Sequence, residues 1–144
     1  MKNIILLCFL ILGLQACQNE ADYKSVRKEV LDAHDNVMMD GEIAIKNKMR
    51  LDTISANMDS LSDAKLIADT IAEKQTIDKL KLKLNKADDM MNDWMHKFNA
   101  ELDGKSNAEA VSYFKAEKVK VNTLDSLYKE AIGESAAYLS KFKK

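Results

Sequence analysis

Three long stretches of this chain repeat apolar residues at spacings that alternate between three and four. The clearest reads Ile77, Leu80, Leu84, Ala87, Met91, Trp94, Phe98. Such spacing keeps one stripe of an α-helix turned toward a partner. A lone helix with that stripe is marginal in water, so the rest of the chain has to cover it. Two further seams supply the cover. One reads Tyr23, Val26, Val30, Ala33, Val37, Asp40, Ala44, Asn47, Leu51, Ile54, Met58, and the other Ala110, Phe114, Glu117, Val121, Leu124, Tyr128, Ala131, Ser135, Tyr138, Phe142. The sequence has no proline and only four glycines among 144 residues, which suits continuous helix. The expectation is an all-α fold, an elongated, coiled-coil-like, antiparallel three-helix bundle running up, down and up.

Local signals set the expected boundaries. The first helix runs from about Asp22 to about Asn57. Asp40 and Asn47 interrupt its seam and Gly41 sits beside the first. A bend or loose middle, a register-fixing polar layer, and a break into two helices are all consistent with that pattern. Ser60 and Asp63 have capping-box spacing, which predicts a second helix from near Leu61 to about Leu102, closed by Gly104. Ser106-Asn107-Ala108-Glu109 is a full S-x-x-E box and opens the third helix. Helices of about 36 to 42 residues would be ~55–60 Å long.

The first residues read as an address. Lys2 is followed by an eleven-residue apolar run, Ile4 to Leu14, too short to span a bilayer. Leu14-Gln15-Ala16-Cys17 then resembles a bacterial lipobox. The expected organisation is a signal peptide over 1–16, a lipidated tether over 17–22 with acyl chains (palmitate among them) on Cys17, and a helical bundle domain over 23–144. Gln18-Asn19-Glu20 resembles the acidic export signals of surface-exposed Bacteroidetes lipoproteins. Cleavage removes Cys8 and lipid occupies Cys17, so no disulfide supports the mature fold. It also leaves 21 basic against 23 acidic residues, which gives no electrostatic footprint for nucleic acid.

Chemistry-bearing residues concentrate in one layer. Folding the seams at the two expected turns brings His34, Met38, Met91, Trp94, Met95, Phe114 and Glu117 to similar height. Glu117 interrupts an apolar seam, and a buried carboxylate needs a partner, so His34 and Glu117 form a candidate buried polar pair, with a lysine such as Lys118 reaching from its own helix as the other candidate partner. His34 and Met38 are four residues apart on one helix, as are Met91 and Met95. Imidazole plus thioether suits Cu(I), making these four a candidate metal site. Haem b with a His/Met axial pair uses the same layer. The bland reading is a core in which methionines fill gaps around Trp94. No Gly-rich phosphate loop, G-x-S-x-G element or mature cysteine nucleophile points to an enzyme.

His34-Asp35-Asn36-Val37-Met38 and Met91-Asn92-Asp93-Trp94-Met95-His96-Lys97-Phe98 also resemble a group of small, uncharacterised Bacteroidetes-type lipoproteins. These carry an H-D-x-V-M element and a later M-x-x-W-M-x-x-F element. Some bear the label "viral A-type inclusion protein", which transfers no activity. Where the group is expected to have a proline after the first element, this chain has Met39. The resemblance implies an envelope address and a helical bundle, with no established reaction.

These observations favour a lipid-anchored helical scaffold or interaction protein of the bacterial cell envelope, at the outer membrane, without catalysis. Its partners would be the bilayer, through acylated Cys17, and a protein or second copy docked on a helical face. The second reading is a periplasmic or surface metal-binding bundle using His34, Met38, Met91 and Met95 for Cu(I), or for haem b.

Overall fold

The structure, a computed structural model, describes residues 22–142. The expected signal peptide and the tether up to residue 21 lie outside the described residues, as do Lys143 and Lys144. The elements are α1 (Tyr23–Ala56), α2 (Met58–Asp63), α3 (Thr70–Lys97) and α4 (Asn107–Leu139), with a closing 3-10 turn, Ser140–Phe142. All are helical, and α1, α3 and α4 form the expected bundle. Contacts between α1 and α4 hold a nearly constant offset: Tyr23 with Asn107, Glu29 with Lys118, Asn47 with Ser135. These two helices are therefore parallel. α3 runs against both, pairing Asp88 with Lys48 and Lys81 with Asp52 of α1, and Trp94 with Glu117 and Lys83 with Glu130 of α4. At 34 residues, α1 is about 51 Å long.

The seams are the core. On α1, Val26, Val30, Val37, Ala44, Asn47, Leu51 and Ile54 are buried; on α3, Ile77, Leu80, Leu84, Ala87, Met91 and Trp94. On α4 every seam position from Ala110 to Tyr138 is buried, Glu117 and Ser135 included. Phe98, the last position of the α3 seam in the sequence, is only half-buried. α1 passes Gly41 without a break. Asn47, one of the two polar intrusions, donates from Nδ2 to Ser135 Oγ at 2.9 Å, and the serine hydroxyl reaches the Ala131 carbonyl of its own helix. The pair is satisfied, and a slip in register would orphan it, which is how a buried polar contact fixes alignment.

The expected second helix is corrected. Ser60 and Asp63 cap nothing; they lie inside the short α2. That helix stops because Lys65 takes a left-handed conformation (φ 55°). The Lys65 and Leu66 amides then return to the Ser62 and Leu61 carbonyls at 2.9 Å each, a Schellman closure. Without glycine, that conformation costs about 1–2 kcal/mol. α3 restarts at Thr70, capped by Asp69, whose carboxylate accepts from the Ile71 and Ala72 amides at 3.0 Å. It also ends early, at Lys97, because Phe98 turns extended (φ −71°, ψ 126°). Gly104 is left-handed (φ 75°) as expected, but inside the turn closed by the Lys105 amide on the Leu102 carbonyl. At Ser106 the capping box forms as read, with both reciprocal hydrogen bonds present.

The two ends of the bundle differ in character. At the end where α1 begins, Tyr23, Phe98, Tyr113 and Phe114 form a ring cluster with centroids 5.2–6.4 Å apart. The Tyr23 amide donates to Asn107 Oδ1 and the Asn99 amide to the Tyr113 hydroxyl, so the α3–α4 loop is tied to this cluster. The opposite end carries α2 and the loop to Thr70, where Ile67 is buried and Leu66 and Ile71 are exposed.

Candidate functional site

Trp94 occupies the last turn of α3 on the buried seam. Its ring stacks on Phe98 at 4.7 Å and meets the His34 ring at 5.4 Å. Its Nε1 donates to Glu117 Oε2 at 2.7 Å, and Lys120 Nζ donates to the other carboxylate oxygen at 2.7 Å. Glu117 is 5 % exposed, so both oxygens need these donors. The hydrogen bond to Glu117 also raises the Lys120 ammonium above its ordinary value.

The direct His34–Glu117 pair expected from the sequence does not form. Both Glu117 oxygens are taken, and the Trp94 ring packs against His34 while its indole nitrogen serves the carboxylate. His34 Nδ1 turns to the neighbouring Asp35 at 3.1 Å. The physical reason is the indole itself: His34 and Glu117 share the expected layer, but each meets Trp94 in place of the other. The expected four-ligand set divides. Met38, Met91 and Met95 line one groove between α1 and α3, of about 270 Å³, and His34 does not border it.

A second polar contact sits beside that groove and was not read from the sequence. Tyr128 on α4 donates its hydroxyl to Asp88 Oδ1 on α3 at 2.9 Å, and Lys48 on α1 reaches Asp88 Oδ2 at 3.1 Å. Three helices meet there. Asp88 flanks a seam rich in acids, so nothing local marks it; Tyr128, on the seam and in need of a partner, was the available signal. Burial first, and then Asp88, push the Tyr128 phenol up; burial and the Glu73 carboxylate do the same for Tyr138.

These raised phenols predict alkaline behaviour. A folded value above the unfolded one means that the stabilisation is full below the ordinary tyrosine value of about 10 and is lost as pH rises through the folded value. In an alkaline titration, the tyrosinate absorbance that Tyr128→Phe/Tyr138→Phe removes should emerge only as helicity disappears. Its emergence near pH ~10 with helicity intact would contradict the burial of both hydroxyls.

Among the described residues, no helix is long and apolar enough to cross a membrane, and no group of three or more His, Cys, Asp or Glu side chains could hold a metal ion. Another groove, between α3 and α4, is bordered by Trp94, Glu117, Lys97 and Lys120. Both of its cations are committed, Lys97 to Asp93 and Lys120 to Glu117. Comparison with protein-family models, with curated proteins and with solved structures finds no match.

Proposed function

We propose that this chain is a lipid-anchored helical scaffold or interaction protein of the bacterial cell envelope, at the outer membrane, and that it performs no catalysis. The observation that carries this reading is where the core spends its polar groups. Trp94 with Glu117, Asn47 with Ser135, and Tyr128 with Asp88 each join two helices. Groups used in this way fix register and orientation in a bundle. The order Lys2, Ile4–Leu14, Ala16, Cys17 supports the anchor. Cys17 lies five residues before Asp22, so the tether reaches at most about 18 Å. The aromatic end of the bundle would then face the bilayer, with the α2 end about 50 Å away. Exposed apolar side chains on two flanks of α1, Met39 and Ile43 on one and Ile45 and Met49 on the other, are where a protein partner or a second copy would dock.

Cell fractionation of Cys17→Ser tests the anchor. The variant should retain its signal segment unprocessed and no longer fractionate with the outer membrane. Membrane association indistinguishable from that of the parent protein would sink the proposal.

A further inference from the structure

We infer that the thioethers of Met38, Met91 and Met95 form a Cu(I) site in the groove between α1 and α3. Met91 and Met95 are one helical turn apart, so both face the same side of α3, and Met38 reaches that side from α1. Met91 is 2 % exposed and forms the floor, while Met38 and Met95, at 42 % and 38 %, stand at the rim. The arrangement is anchored below and open above.

A gap-filling role accounts for Met91 on the buried seam but not for Met38 and Met95, which stand exposed at the rim. Methionine used as filler occupies the irregular space around it. Here three of them border about 270 Å³ of open volume. Gly41 contributes to that opening. A Cβ there would meet only the Tyr128 ring and hydroxyl, at 3.7–3.9 Å, which is ordinary contact. No close approach demands glycine, yet glycine at a helix-interior position is unfavourable against alanine. Its effect is to keep side-chain volume out of the groove.

The chemistry selects the ion. Three neutral thioethers suit a soft monovalent cation such as Cu(I) and are poor ligands for hard ions. Glu42 and Asp88 border the same groove, and each is already paired with a lysine, Lys46 and Lys48, so the thioethers alone supply the ligands. His34 takes no part, since it lies against Trp94. The site does not depend on the membrane anchor.

The test is competition with bicinchoninate for Cu(I) under ascorbate. It uses the untagged, detergent-solubilised full chain carrying Cys8→Ser and Cys17→Ser, so that no thiol contributes. One Cu(I) per chain is expected. Each of Met38→Leu, Met91→Leu and Met95→Leu should weaken binding by more than the roughly 10–100-fold typical of second-shell changes. The triple substitution should abolish it. Leucine conserves volume, and an unchanged far-UV circular dichroism spectrum checks that the bundle is intact. His34→Phe, which keeps a ring on Trp94, should bind as the parent does, and affinity should stay flat from pH 8 to about pH 5, where an imidazole ligand would be lost to protonation. Failure to take Cu(I) from the chelator, uptake that survives the triple substitution, or uptake lost with His34→Phe overturns the inference.

Discussion

Replacing Trp94 with alanine is expected to cost about 3–5 kcal/mol of stability. Two losses combine. The indole is 7 % exposed, stacks on Phe98 and meets the tilted His34 ring, so its removal leaves a cavity between α1, α3 and α4. The same substitution takes the Nε1 donor from Glu117 and leaves a buried carboxylate oxygen without its partner. Trp94→Phe separates the terms. It keeps most of the ring contact and loses the donor, for an expected cost of roughly 1.5–3 kcal/mol, the range of a hydrogen bond to a charged group. Chemical denaturation followed by circular dichroism measures both, since the substitutions remove the only tryptophan fluorophore. A loss below about 1 kcal/mol for Trp94→Ala would mean that the side chain is a partner-binding anchor on the surface.

Phe114→Ala should cost a similar ~3–5 kcal/mol, with a local signature. Phe114 is fully buried and contacts the Tyr23, Phe98 and Tyr113 rings. These four side chains join the start of α1, the extended segment after α3 and the first turns of α4. Without the central ring, the ties from Tyr23 to Asn107 and from Asn99 to Tyr113 lose their support. Hydrogen exchange should quicken in the first turns of α1 and in residues 98–106. Amides around Asn47 and Ser135, several turns away, should keep their rank relative to the global opening rate. A uniform change along all three helices would show that the aromatic end is not a separate cooperative unit.

The α1 and α4 seams were legible almost residue by residue, because heptad spacing reports burial directly and no proline or turn cluster interrupts either stretch. Ser106 was legible because the capping box is a local motif. The break between Ala56 and Thr70 was not. Helices usually close on glycine, and here Lys65 takes the left-handed position. Asp69, the actual cap, is one acid among many. That hidden break then spoiled the register arithmetic between α1 and α3. Glu117 stood out as a polar residue on an apolar seam, but its partner depends on which turn of α3 lies opposite α4, which the segment between Lys97 and Asn107 sets, and Trp94 lies there. The methionines were singled out by spacing. Whether they share a groove with His34 depends on how α3 lies against α1, and the groove excludes the imidazole. Phe98 continued the seam in sequence, but its backbone turns extended and carries the ring into the aromatic end.

The anchored-scaffold account is tested most directly by the intact mass of the protein extracted with detergent from the membranes of the cells that make it. The account predicts a chain that begins at Cys17 and carries the additional mass of acyl groups on that residue. A chain that retains residues 1–16, or one whose Cys17 is unmodified, would contradict it.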